Sequence, residues 1–84
     1  MVSFFYLGNK HGIPRGDDVK IIFNGKVETI AQNATIASLI AQKALNPATI
    51  IVEHNYDLIK KEFWGNIILK EDDRLEILRF VGGG

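Results

Sequence analysis

Three glycines follow the last apolar run of the chain, in "RFVGGG", and the carboxylate of Gly84 is a candidate reactive group. A glycine run inside a chain commonly works as a linker. At a C-terminus it joins nothing, so either it is slack, as frayed chain ends are, or the terminus itself does the work. A carboxylate is a poor electrophile until it carries a good leaving group. Glycine lacks a Cβ, so the backbone of Gly82, Gly83 and Gly84 can approach closely. Ordering those residues costs about 1–2 kcal/mol each in backbone entropy, which docking of a folded body must offset.

Other residues that could do chemistry form weaker patterns. His11 and His54 are too few and too far apart in sequence for a metal site, which usually takes three or four ligands. His54 reads as a solvated or hydrogen-bonded turn residue. Glu71-Asp72-Asp73 lacks the alternating oxygen ligands of a calcium loop and reads as a solvated turn. "GNKHG" lacks the spacing and the Lys-Ser/Thr of a phosphate loop. Trp64 reads as a packing anchor, and Lys60, Lys61, Arg74 and Arg79 as rim charges that tune encounter rates. No Ser/His/Asp constellation is present, so no enzyme is expected and no metal is assigned.

The 84 residues carry ten basic and ten acidic side chains. Zero net charge argues against a nucleic-acid binder, which needs a basic surface to displace counterions. With no cysteine there can be no disulfide, thiolate ligand or side-chain thiol nucleophile. No apolar run approaches the roughly 20 residues of a membrane span. The apolar stretch from Val2 to Leu7 lacks a basic leader and a cleavage signature. The expectation is one small cytoplasmic domain.

The elements that would position the tail follow from periodicity. Residues 1–18 show no sustained period and read as an N-terminal extension, either an extra strand or disordered. Asn24-Gly25, set between "VKIIF" and "KVETI", is a strong hairpin signal, because both central residues of a type I′ turn need φ > 0. Ile36, Leu39, Ile40 and Ala44 form an amphipathic stripe, with Thr35 as N-cap and Asn46-Pro47 as the stop. "TIIVEHN" reads as a strand. "YDLIKKEFWGN" reads as irregular, with one helical turn anchored by Phe63 and Trp64. "IILK" reads as a short edge strand, "EDD" as a turn and "RLEILRFV" as the last strand. The fold class is α+β: a mixed sheet of four or five strands over residues 19–81, with one helix packed on one face. Ile22, Ile51, Leu78 and Phe80 then project from the uncovered face, and contiguous exposed apolar surface marks a partner site. The competing reading has Phe4, Phe5 and Tyr6 folding back over it.

"IIFNGK", a helix ending near "LNP", "VEHN", Trp64 and "ILKEDDRLEILRFVGGG" together resemble the ThiS-type sulfur carriers of thiamine biosynthesis, which have the ubiquitin-like β-grasp fold. The resemblance runs from about Val19 to Gly84 and is strongest from Ile68 onward. Asp72 stands where the family typically has glycine, and aspartate tolerates left-handed geometry better than most residues. The resemblance implies that a ThiF-type adenylating enzyme, using ATP and Mg²⁺, activates the Gly84 carboxylate. A persulfide from a sulfur donor such as a cysteine desulfurase then leaves a thiocarboxylate, which passes its sulfur to thiazole synthase. It makes Gly84 the reacting residue, with Gly83 beside it on the flexible tail 82–84, and Ile22, Ile51, Leu78, Phe80 and Val81 the partner-binding residues. The protein would be a cosubstrate that binds no permanent cofactor. Three alternatives stay open: the small subunit of molybdopterin synthase, a ubiquitin-like protein modifier, and an interaction module with an inert tail.

Overall fold

The computed structural model describes residues 18–80. Residues 1–17 of the N-terminal extension, Val81 and the glycine tail 82–84 lie outside the described residues. β1 (Val19–Phe23) and β2 (Lys26–Ile30) pair antiparallel around Asn24 and Gly25, at φ +50° and +84°. This is the hairpin the sequence predicts.

α1 (Ile36–Gln42) is short, so it depends on packing rather than on intrinsic propensity. Its start is secured by a reciprocal capping box. The Thr35 side chain accepts from the Ser38 N–H at 3.0 Å, and the Thr35 N–H donates to Ser38 Oγ at 2.9 Å. The helix ends earlier than the Asn46-Pro47 stop predicts. Ala44 stands at φ +56°, with Ala44 N–H bonded to Ala41 O and Leu45 N–H to Ile40 O. These are the two bonds of a Schellman closure, made here on alanine. The closure turns Leu45 back onto the core and leaves Ala44 exposed, outside the apolar stripe. Asn46-Pro47 instead opens a 3₁₀ turn, Pro47–Thr49.

β3 (Ile50–His54) reverses at Asn55 and Tyr56, both at positive φ, into β4 (Asp57–Ile59). The edge strand is therefore Asp57–Ile59. Ile68, in the stretch expected to form it, makes only an isolated bridge to Thr35. A second 3₁₀ segment, Lys61–Asn66, buries Trp64, whose Nε1–H donates to Ile59 O at 2.9 Å. Phe63, expected as a second anchor, is exposed.

β5 (Arg74–Arg79) runs through the centre of a five-stranded mixed sheet of order β2-β1-β5-β3-β4. It is parallel to β1 and antiparallel to β3. Ile21, Ile30, Ile50, Val52 and Leu75 turn to the face that α1 covers, where Ile36, Leu39, Ile40, Leu69 and Trp64 complete the core. Each large side chain buried in this way contributes about 1.5–3 kcal/mol. Among the described residues no helix is long and apolar enough to cross a membrane.

Candidate functional site

The central position of β5 decides what leads into the tail. Successive side chains of a strand alternate between faces, so Leu75 and Ile77 point to the core while Glu76 and Leu78 point away from α1. Leu78 lies directly opposite Ile51 of β3. The ladder continues one step beyond the strand, because the Phe80 N–H donates to Thr49 O at 3.0 Å. The pleat therefore puts Phe80 on the same face as Leu78. Ile51, Leu78 and Phe80 are 39%, 54% and 47% exposed, an apolar row at the end of β5 from which the chain continues to Gly84.

Ile22 does not join this row. It is half-buried and lies opposite Val27 on one side and Arg74 on the other. Arg74 and Glu76, joined by a 3.2 Å ion pair, separate it from Leu78. The uncovered face thus carries two apolar patches with a charged band between them. Val27 and Leu58, 71% and 68% exposed, share this face and were missed by sequence reasoning. The hairpin register pairs Val27 with Ile22, so the signal for it was present. Leu58 needed β4, whose Asn55-Tyr56 turn carries no glycine. Val81, Gly82, Gly83 and Gly84 lie outside the described residues.

The other end of β5 is polar and tightly bonded. His54 Nε2–H donates to Asp73 Oδ2 at 2.9 Å, the Lys70 N–H to the same oxygen at 2.9 Å, and Asn55 Nδ2 to Oδ1 at 3.2 Å. Burial alone would push the Asp73 carboxyl up. The hydrogen bonds from His54, Lys70 and Asn55, with the charge of His54, outweigh it and hold the carboxyl below its ordinary value. Glu71 accepts from the Lys20 N–H at 2.9 Å, and Asn55 Oδ1 from the Arg74 N–H at 2.9 Å. Asp72 stands at φ +70°, so the turn keeps its left-handed geometry with aspartate in place of glycine. Glu71 and Asp72 are exposed, as a solvated turn implies, while the half-buried Asp73 makes the turn also a hydrogen-bonded staple between β1, β3 and β5.

An open groove of about 710 Å³, lined by Val19, Asn33, His54, Lys70 and Asp73 among others, lies at this end of β5. Among the described residues no three His, Asp or Glu side chains converge to hold a metal.

A five-stranded mixed sheet with its last strand in the centre and one helix across a single face is a ubiquitin-like β-grasp domain. The ThiS family profile matches residues 14–84. The sulfur carrier protein ThiS of Bacillus subtilis is 40% identical over 62 residues, which make up 73% of this chain and 94% of that protein. A crystal structure of the thiamine biosynthesis protein ThiS from Geobacter metallireducens superposes with a TM-score of 0.68 at 29% identity, covering 79% of this chain and all of that one. A thiazole synthase of Magnetococcus marinus is 30% identical over 66 residues, and one of Paramagnetospirillum magneticum 26% over 66. The chain spans about a fifth of the length of these two synthases. The chain belongs to the ThiS family of sulfur carrier proteins.

Proposed function

We propose that this protein carries sulfur for the thiazole moiety of thiamine as a thiocarboxylate on Gly84. The observation that carries this reading is the family match through Gly84, joined to an apolar docking row at the end of the strand that leads there. The Gly84 carboxylate oxygen attacks the α-phosphorus of ATP on a ThiF-type adenylating enzyme, with Mg²⁺ at the phosphates, and pyrophosphate leaves. The terminal sulfur of a persulfide, formed by a donor such as a cysteine desulfurase, attacks the acyl carbon and AMP leaves. A thiol cleaves the resulting acyl disulfide, which releases the thiocarboxylate and forms a new disulfide. Thiazole synthase then takes the sulfur. The similarity of this chain to segments of two thiazole synthases supports that partner.

In this scheme the chain is a cosubstrate. It supplies an acyl group on residues without side chains, while adenylation and sulfur transfer occur on its partners. Ile51, Leu78 and Phe80 offer the apolar surface whose burial offsets the roughly 1–2 kcal/mol that ordering each glycine costs. Val81 joins that surface to the tail. Ile22, with Val27, forms a separate patch for the same or a second partner.

Intact mass tests the reading. The protein is incubated with a ThiF-type enzyme, ATP, Mg²⁺, cysteine, a desulfurase and a thiol. The expected product carries one sulfur in place of one oxygen on the C-terminal peptide. An unchanged mass would overturn the proposal.

A further inference from the structure

The charged band that divides the uncovered face is out of balance. Glu53 of β3 lies directly opposite Glu76 of β5, in the same ladder that sets Ile51 opposite Leu78. Side chains opposed in this way stand about 4.5–5.5 Å apart at Cβ, where like charges destabilise the pairing. Both glutamates are half-buried, which weakens the screening of that repulsion. Glu76 has its cation, since Arg74 Nη2 donates to Glu76 Oε2 at 3.2 Å. Glu53 has none: among the described residues its carboxylate makes no hydrogen bond and no ion pair.

Arg74 does not serve both carboxylates. Its guanidinium is directed to Glu76 and stacks over the Tyr56 ring, 5.1 Å from the ring centroid. Its Nε–H is buried and meets no acceptor among the described residues. Tyr56 holds this arrangement from φ +76°, a left-handed conformation that is costly for a bulky residue. The frame around Glu53 is apolar. Leu58 lies opposite it on β4, and Ile51 precedes it by two residues on the same face. With Leu78 these exposed side chains border the Glu53 carboxylate.

We infer that Glu53 and Glu76 receive an arginine side chain of the adenylating enzyme, which enters from solvent between Ile51, Leu58 and Leu78. The inference rests on the carrier reading above and gives the chemistry of the surface that docks on this face. Charge complementarity selects a cation, because Arg74, Glu76 and Glu53 together leave one negative charge in excess. Two neighbouring carboxylates select arginine, whose planar fork donates to both at once, over the compact point charge of lysine. The methylene stem of the arginine lies along the apolar frame. Repulsion between Glu53 and Glu76 in the free domain is relieved when the guanidinium arrives. The pair therefore weakens the free carrier and strengthens the complex, opposite to what a structural ion pair does.

The test measures Kd for the ThiF-type enzyme and KM for sulfur loading, with denaturation midpoints, for wild type, Glu53→Gln, Glu53→Lys and Glu62→Gln. Glu53→Gln should weaken binding and raise KM about tenfold or more, the scale of one hydrogen bond to a charged group, with kcat within about twofold of wild type. Its midpoint should rise, because the opposed charge is gone. Glu53→Lys sets a cation opposite Glu76, so the midpoint should rise further while binding weakens further. Glu62 is an exposed carboxylate in the 3₁₀ segment, outside the sheet, and Glu62→Gln should bind as wild type does. The gap between wild type and Glu53→Gln should narrow from low to high salt. Phenylglyoxal modification of the enzyme, mapped by peptide mass, should show an arginine protected by the wild-type carrier.

Unchanged Kd in Glu53→Lys would overturn the site, as would an equal loss in Glu62→Gln. A lower midpoint in Glu53→Gln alongside weaker binding would make Glu53 structural and overturn it too. Protection of no arginine would overturn the choice of partner group. Normal loading with impaired sulfur transfer to thiazole synthase would give the site to that enzyme and overturn the assignment made here. In each of these cases the carrier reading stands. Failure of the wild-type chain to load at all would remove the carrier reading, and this inference with it.

Discussion

At Arg74, β5 is flanked by β1 and β3, and the turn that precedes it is bound by Asp73, Asn55 and Glu71 through hydrogen bonds of 2.9–3.2 Å. Toward Phe80 the described part of the same strand pairs with β3 alone and carries an exposed apolar row. The strand therefore has an anchored end and, on the proposed function, a delivery end. Local stability differs across a single element, and functional segments come from the weakly held part.

Leu75 and Leu78 give the sharpest contrast. Leu75 is fully buried against α1, so Leu75→Ala should cost about 2–5 kcal/mol in a denaturant titration. Leu78→Ala, on the opposite face, should stay within about 0.5 kcal/mol of wild type. A comparable loss at Leu78 would erase the distinction between the two faces.

Next comes the polar staple. Asp73→Ala leaves three donors without their acceptor, and stability should fall by about 1–3 kcal/mol. The pH dependence has a defined sign. The folded-state carboxyl titrates below its ordinary value. Its contribution is therefore fully present above the unfolded-state value of about 4 and is lost as pH falls through the lower folded value. The stability gap between wild type and Asp73→Asn should be flat at neutral pH and shrink below about pH 4. A gap that widened on acidification would contradict the assignment.

At the delivery end, Leu78→Asp should raise KM for sulfur loading about tenfold, the scale of a modest interface hot spot. Its melting temperature should change little. Ile22→Asp, in the other patch, serves as its comparison, and the ratio of the two KM values reports which patch the adenylating enzyme uses. A small gain is expected at Ala44, which adopts φ +56° in a position that favours glycine. Ala44→Gly should add about 0.5–1 kcal/mol without altering loading.

Much of this arrangement could be read along the chain because the signals are local. Asn24-Gly25 dictates its turn, Thr35 caps its helix, and the alternation of "RLEILRF" assigns the two faces of β5. The misreadings share one cause: conformations completed by distant contacts. Asn55-Tyr56 makes a tight reversal without glycine, so β4 was read as irregular. The Schellman closure at Ala44 occurs because Leu45 finds the core, and the pull of Pro47 on Asn46 was too local to reveal it. The Asp73 staple joins residues 18 and 19 positions apart, a pairing that no short window contains. Within the candidate site, Leu78 and Phe80 were legible from alternation. The separation of Ile22 from them required the β1–β5 register.

The central claim is that the chemistry resides in the Gly84 acyl group while the folded domain only presents it. Adding one tryptophan after Gly84 and measuring intact mass after incubation with the ThiF-type enzyme, ATP, Mg²⁺ and the sulfur source tests this most directly. The account predicts an unchanged denaturation midpoint and no incorporated sulfur. Full sulfur incorporation with the added tryptophan still attached would contradict it.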